Sequence, residues 1–197
     1  GGVGIFTRPA TEMKCAGAPL KHTFLIEDIA TRTGGAGKHE MHYAANNNSL
    51  FGVPIVSEKV RMIFEDRGIT AHYSHVLKAV DAGKKRATFA TPEGDQELAY
   101  DYLHVIPPQR APDVIREAGL SWADKWSDQG WAEVDKHTLR HLRYPDIFAL
   151  GDVAGDEIAV RIIDAGGVDD HADLAAGLDG EGFLDTLHVR RDAFELF

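Results

Sequence analysis

The amino-acid sequence predicts an α/β protein: a Rossmann-like, doubly wound parallel sheet with a small antiparallel β-meander attached. Three observations lead there. Short β-prone runs alternate with segments of helical period up to about residue 75, the β-α-β-α-β order of a parallel sheet. The connections between them are short. Beyond that point the helical period disappears, and three strand-like runs follow one another across turn-forming residues.

Taken in order, residues 3–8 read as a first strand and 17–33 as a first helix. Leu20, Phe24, Ile26, Ile29 and Ala30 recur there at roughly helical spacing up to the stop signal Gly34-Gly35. Residues 39–45 read as a second strand ending in Asn46-Asn47-Asn48. A second helix is expected over 54–67. Pro54 suits a first helical turn, Val56, Val60, Ile63 and Phe64 form an apolar face, and Gly68 closes it. Residues 69–75 complete a parallel sheet with helices on its faces. The runs 76–81, 86–91 and 97–102 form the meander, with turns at Ala82-Gly83-Lys84 and Pro92-Glu93-Gly94-Asp95. A buried strand over 103–106 is cut off by Pro107-Pro108. A short helix is expected over 113–118, then strands over 131–134 and 147–150. We expect a dinucleotide-binding-type domain over 1–130, a second domain starting over 131–155, and an acidic tail over 156–197.

The formal net charge of −10 is unevenly placed. Residues 156–197 hold eleven acidic and three basic residues, a net of −8, which leaves −2 for the rest. No basic stripe exists to neutralise phosphates, so nucleic acid is not an expected partner. The 44% hydrophobic and 26% charged content is that of an ordinary globular protein. The single cysteine excludes an internal disulfide and any cysteine-rich zinc site within these residues. No apolar run approaches the roughly 20 residues that cross a bilayer. The chain does not begin with Met and enters a strand almost at once, the start expected of a piece of something longer.

Two stretches could carry chemistry. Cys15 lies at the first strand-to-helix turn, near the positive end of a helix dipole and beside Lys14, and both influences favour the reactive thiolate. A lone cysteine is otherwise a small buried hydrophobe, and that reading stays open on the residues alone. The apolar run 147–150 leads into Gly151-Asp152, which places a carboxylate at the carboxyl end of a sheet. Asp152 could accept hydrogen bonds from sugar-like hydroxyls there, or cap a following helix.

The segment Val134-Asp135-Lys136-His137-Thr138-Leu139-Arg140-His141, continued by Tyr144-Pro145-Asp146-Ile147-Phe148-Ala149-Leu150-Gly151-Asp152, resembles the sulfide:quinone oxidoreductases. So do Lys14-Cys15-Ala16-Gly17-Ala18-Pro19, Phe51-Gly52-Val53-Pro54, and Leu103-His104-Val105-Ile106-Pro107-Pro108 with Ala111-Pro112, in the same order. The resemblance covers residues 1 to about 155. It implies a central portion of an FAD-dependent flavoprotein with sulfide and quinone as partners. It implies that Cys15 pairs with a second cysteine and carries persulfide sulfur, and that Asp152, with Gly151 close by, hydrogen-bonds the ribityl chain of FAD. Pro107 and Pro108 match a loop near the flavin and shape it. The family's peripheral membrane binding implies a place in the cytoplasm or on an inner membrane. The family's glycine-rich FAD turn and second redox cysteine have no counterpart here, so the isolated chain is expected to be inactive. A related flavocytochrome c sulfide dehydrogenase, or a non-enzymatic module relaying sulfur through Cys15, are the alternatives.

Two further readings rest on the residues. The first strand-to-helix turn has no Gly-x-Gly-x-x-Gly, and the second strand ends in Asn46 where an acidic residue would hold a ribose, so a nicotinamide nucleotide is not expected. Among ten histidines, His72 and His75 would face opposite ways on a strand, and His137 and His141 would share a face only on a helix. No metal site is expected.

Overall fold

In the computed structural model, which describes residues 1–35, 37–126 and 128–155, β1 (Gly2–Thr7), α1 (Ala18–Ala30), β2 (His39–Ala44), α2 (Pro54–Arg67) and β3 (Ile69–His72) follow in turn. With β7 (Tyr102–His104) they build a four-stranded parallel sheet in the order β3-β2-β1-β7. The meander is β4 (Val76–Asp81), β5 (Arg86–Thr91) and β6 (Gly94–Ala99), all antiparallel. Two compact units result, the first Gly1–Arg110 and the second beginning at Ala111. The sequence had suggested a line near residue 130. The acidic tail over 156–197 lies outside the described residues.

The side chains explain which element covers which face. Phe6 and Tyr43 are register partners, so they project from the same face. Phe6 lies 5.8 Å from the His22 ring on α1, and Tyr43 lies 5.5 Å from Phe64 on α2. Phe24 of α1 meets Phe64 edge-on at 5.5 Å, so the two helices lie side by side. Ile5 and Ala44, one residue along each strand, face the other way and bury Ala87 and Phe89 of the meander, with Leu77, Leu98 and Leu103 around them. Helices therefore cover one face and the meander the other, where helices had been expected on both.

Other boundaries shift for local reasons. On α1 the buried residues are Pro19, Leu20, Thr23 and Phe24. Ile29 is exposed, because nine residues from Leu20 amount to two and a half helical turns, half-way round the cylinder. The α-helix stops at Ala30 and unwinds through Thr31–Gly35, where Gly34 takes φ 85°. On α2 the expected stripe is buried at Val56, Val60 and Phe64, and Gly68 ends the helix at φ 67°. The second meander hairpin closes earlier than expected: Thr91 pairs with Gly94, leaving Pro92-Glu93 as the loop.

Strand β3 ends at His72, not at residue 75. Ser74 turns at φ 55° and donates its N–H to Asn47 O at 2.8 Å, which pulls the chain onto the loop after β2. The turn folds His75 back until its ring lies 5.1 Å from His72, so the expectation of opposite faces fails. Burial, then the neighbouring His42 and His75, push His72 down to about 4. In the unfolded chain the ring titrates near 6.5, so between those values the unfolded state binds the extra proton. Stability is expected to fall as pH drops from about 6.5 towards 4, by about 1–2 kcal/mol once the ring's partial exposure is allowed for. Urea midpoints across that range, compared with His72→Gln, measure it.

The second unit has little regular structure among its described residues. One short helix, α3 (Asp113–Glu117), is present as expected. Residues 131–134 and 147–150 do not form the strands expected; they make single bridges, Ala132–Ala154, Val134–His141 and Arg140–Phe148. Phe148 is 59% exposed and Leu150 70% exposed, so the run into Gly151 is not a buried strand among these residues. An apolar run becomes a strand only where a neighbour completes its ladder, and one bridge does not. Ala132, Val134 and Ala154 form the small core, with Ile115 and Ala149 against it. His141 is only 2% exposed, its Nε2 bonded to Leu120 O at 3.0 Å while Nδ1 accepts the Arg143 N–H at 3.1 Å.

Candidate functional site: the turns at Cys15 and at Gly151-Asp152

Strand β1 delivers the chain to the carboxyl edge of the parallel sheet, where α/β folds bind their ligands. Its neighbours there are β2, reached through α1, and β7 on the other side, so the connection over 8–17 stands at the point where the strand order reverses. This connection is tied to the one after β7. Thr7 Oγ1 donates to His104 O at 3.1 Å; Gln109 N donates to Thr11 Oγ1 at 2.9 Å; Lys14 N donates to Gln109 Oε1 at 2.9 Å. Gln109 thus clamps the Cys15 turn, a role with no sequence signal beyond its place after Pro107-Pro108. Gln109→Ala is expected to cost about 1–2 kcal/mol, because the Lys14 N–H loses this acceptor, and to speed alkylation of Cys15. A urea midpoint and a labelling rate read both effects.

Burial in this turn decides which side chain faces solvent. Met13, Lys14 and Ala16 are buried, whereas the Cys15 thiol is exposed. Lys14, expected beside the thiol, is only 6% exposed. Helix α1 begins at Ala18, next to its N-cap Gly17 and with Pro19 in its first turn, and Ala18 N bonds back to Cys15 O at 3.0 Å. The cysteine sits on the last turn before a helix, with a backbone bond from Ala18 on one side and the Gln109 side chain on the Lys14 N–H on the other. At the same edge Arg8 buries Nε and Nη1 without a hydrogen-bond acceptor, and Tyr43 buries its hydroxyl without a partner. Burial raises the Tyr43 hydroxyl well above its ordinary value, with the Arg8 charge pulling weakly the other way. Neither residue stood out in the sequence.

Gly151 and Asp152 belong to the second unit and form a single tight turn with Val153. Gly151 takes φ 69°, a conformation side chains rarely adopt, and nothing lies within 4 Å of where its Cβ would be. Asp152 is exposed and lies within this turn, which has no side-chain cap; a following helix for it to cap would fall outside the described residues. The turn is fixed from behind: Ala132 N donates to Val153 O at 2.9 Å and Gly155 N to Ala132 O at 2.8 Å. A Cβ on Gly155 would stand 2.5 Å from the Trp122 ring, whose Nε1 donates to Gly155 O at 2.6 Å, so that position requires glycine. Just upstream, the Asp135 carboxyl is held below its ordinary value by the N–H and hydroxyl of Thr138 and the N–H of His137.

An open glycine beside an exposed carboxylate suits a polyol hydroxyl. Phosphate groups are served less well. No Gly-x-Gly-x-x-Gly occurs in the 197 residues, and Pro19 removes one N–H from the first turn of α1. Gly151 and Asp152 therefore fit the sugar-like part of a dinucleotide cofactor. Among the described residues no helix is long and apolar enough to cross a membrane.

Comparison with known proteins supports the resemblance read from the sequence. No family model matches the chain. It is 36% identical over 154 residues to a mitochondrial sulfide:quinone oxidoreductase of Dictyostelium discoideum, covering 78% of this chain and 33% of that protein. It is 34% identical over 154 residues to the mitochondrial enzyme of the same name from Mus musculus, covering 77% of this chain and 33% of that one. Among solved structures, the sulfide:quinone oxidoreductase of Aquifex aeolicus aligns with a TM-score of 0.65 at 19% identity, over 77% of this chain and 35% of that one, a likeness of fold. Over 154 residues, then, the chain is similar to the sulfide:quinone oxidoreductases, and it spans about a third of the length of the curated relatives it matches.

Proposed function

We propose that this chain is a portion of an FAD-dependent sulfide:quinone oxidoreductase in which Cys15 carries sulfur. The observation that supports it is the exposed thiol on a hydrogen-bonded turn at the reversal point of the sheet, in a chain similar to those enzymes. Hydrosulfide attacks a disulfide joining Cys15 to a second thiol. The S–S bond breaks, a new S–S bond leaves a persulfide on Cys15, and the second sulfur departs as thiolate. These 197 residues contain one cysteine, so the second thiol comes from outside them. Gly151 and Asp152 would hold the polyol of FAD, which when bound supplies the two-electron acceptor between thiol and quinone. The work of this chain is to fix Cys15 and, through Gln109, to keep its turn from opening.

With neither a second cysteine nor a diphosphate cradle, the isolated chain does not turn over sulfide. The purified 197-residue protein is expected to be colourless and inactive in sulfide-dependent reduction of a soluble ubiquinone. Stoichiometric yellow flavin would overturn that part of the proposal. The exposed lone thiol also supports a second reading, a module that relays sulfur without flavin: the Cys15 thiolate takes the outer sulfur of a donor persulfide and releases the donor thiolate. Complementation separates the two readings, because only the first predicts that the missing segments supplied in trans restore quinone reduction.

A further inference from the structure

We propose that His42 and His72 form a two-imidazole chelate for a divalent transition metal of tetragonal preference, Cu(II) or Ni(II), on the meander side of the parallel sheet. His42 Nδ1 and His72 Nε2 face each other at 2.9 Å from adjacent strands. Ala44 pairs with His72 and Thr70 with His42, so the two histidines are diagonal neighbours on one face of β2 and β3. Two nitrogens each about 2.0–2.1 Å from one ion and at a right angle to each other lie about 2.9 Å apart, which is the cis arrangement of a tetragonal site. The strands hold that separation without help from the ion.

The surroundings fit this use. Glu40 Oε2 lies 3.6 Å from His42 Nε2. Its charge favours the proton on Nε2 and leaves the lone pair on Nδ1, the outer-shell arrangement common around metal-bound imidazoles. With the proton on Nε2 of His42, the 2.9 Å contact would have His72 Nε2–H donating to that lone pair. Metal entry replaces this single hydrogen bond: the His72 proton passes to its own Nδ1, both rings stay neutral, both lone pairs turn to the ion, and the ion gives up two waters. His75, the other titratable group facing the pair, is not a ligand. Its Nδ1 meets Tyr73 O at 2.7 Å and its Nε2 meets Gln96 Oε1 at 2.9 Å. From the meander Phe89 closes over His75, 5.9 Å ring to ring. Among the described residues no group of three or more histidine, cysteine or carboxylate side chains is gathered for a metal, so the remaining positions on the ion are water.

The test is titration of the full 197-residue protein with Cu(II) and Ni(II), followed by calorimetry and, for copper, by electron paramagnetic resonance. One equivalent with the nitrogen couplings of two imidazoles is expected. His42→Asn and His72→Asn should each weaken binding about tenfold or more. His75→Asn should not, and neither should His22→Asn, which alters a separate imidazole pair, His22 and His104 with ring centroids 4.1 Å apart. Unchanged affinity in either of the first two variants, with a native circular dichroism spectrum, overturns the proposal. If those variants fail to fold, the unaltered protein still decides it. Bound Ni(II) should protect His42 and His72 from diethylpyrocarbonate, and equal modification with and without metal refutes the site.

Discussion

Replacing Cys15 by serine is expected to abolish sulfur uptake altogether. The chain has no other cysteine, so incubation with a polysulfide should add sulfur to the parent protein and none to Cys15→Ser. A hydroxyl keeps the shape of the thiol, but it is neither a thiolate at neutral pH nor able to form the S–S bond the chemistry needs. Because Cys15 is exposed and its neighbours Met13, Lys14 and Ala16 hold the turn, the substitution should leave the urea midpoint within about 0.5 kcal/mol of the parent. Intact-mass spectrometry reads the first effect and denaturation the second. Sulfur appearing on the serine variant, or a parent protein that takes up none, would remove Cys15 from the chemistry.

The largest effect on stability is expected from Phe89→Ala. Phe89 is fully buried where the meander meets the sheet, in one cluster with Ile5, Ala44 and Ala87. Truncation removes the benzyl group's burial and leaves a cavity between two sheets that small neighbours cannot fill, at a cost of about 3–5 kcal/mol. That is a large part of the stability of an ordinary domain. The loss should also unseat the meander, so the amides of β5 and β6 should lose hydrogen-exchange protection before those of β1 and β2. A loss below about 1 kcal/mol would mean the two layers do not depend on this side chain.

Much of the fold was legible because it depends on local rules. The stripe Val56, Val60 and Phe64 with Pro54 before it and Gly68 after it marks a helix by spacing and end chemistry, and α2 is that helix. The meander was legible through its turns. The layer covering the second face was not, because alternation tells that Ile5 and Ala44 are buried and not whether a helix or a hairpin buries them. The strand expected over 147–150 failed for a related reason: an apolar run supplies one side of a ladder and says nothing about its partner.

The site divides in the same way. By itself the sequence determined the one thiol, the Gly-Asp turn and the likeness to sulfide-oxidising flavoproteins, because chemistry and motif order are written in residue identity. Only the tertiary structure decided that Cys15 faces solvent while Lys14 turns inward, that Gln109 clamps the turn across 95 residues of chain, and that His42 and His72 meet nitrogen to nitrogen. The physical reason is that hydrogen bonds and ring contacts between distant segments depend on strand register and on the exact end of a strand. A left-handed turn at Ser74 sets such an end, and no periodicity in the chain encodes it.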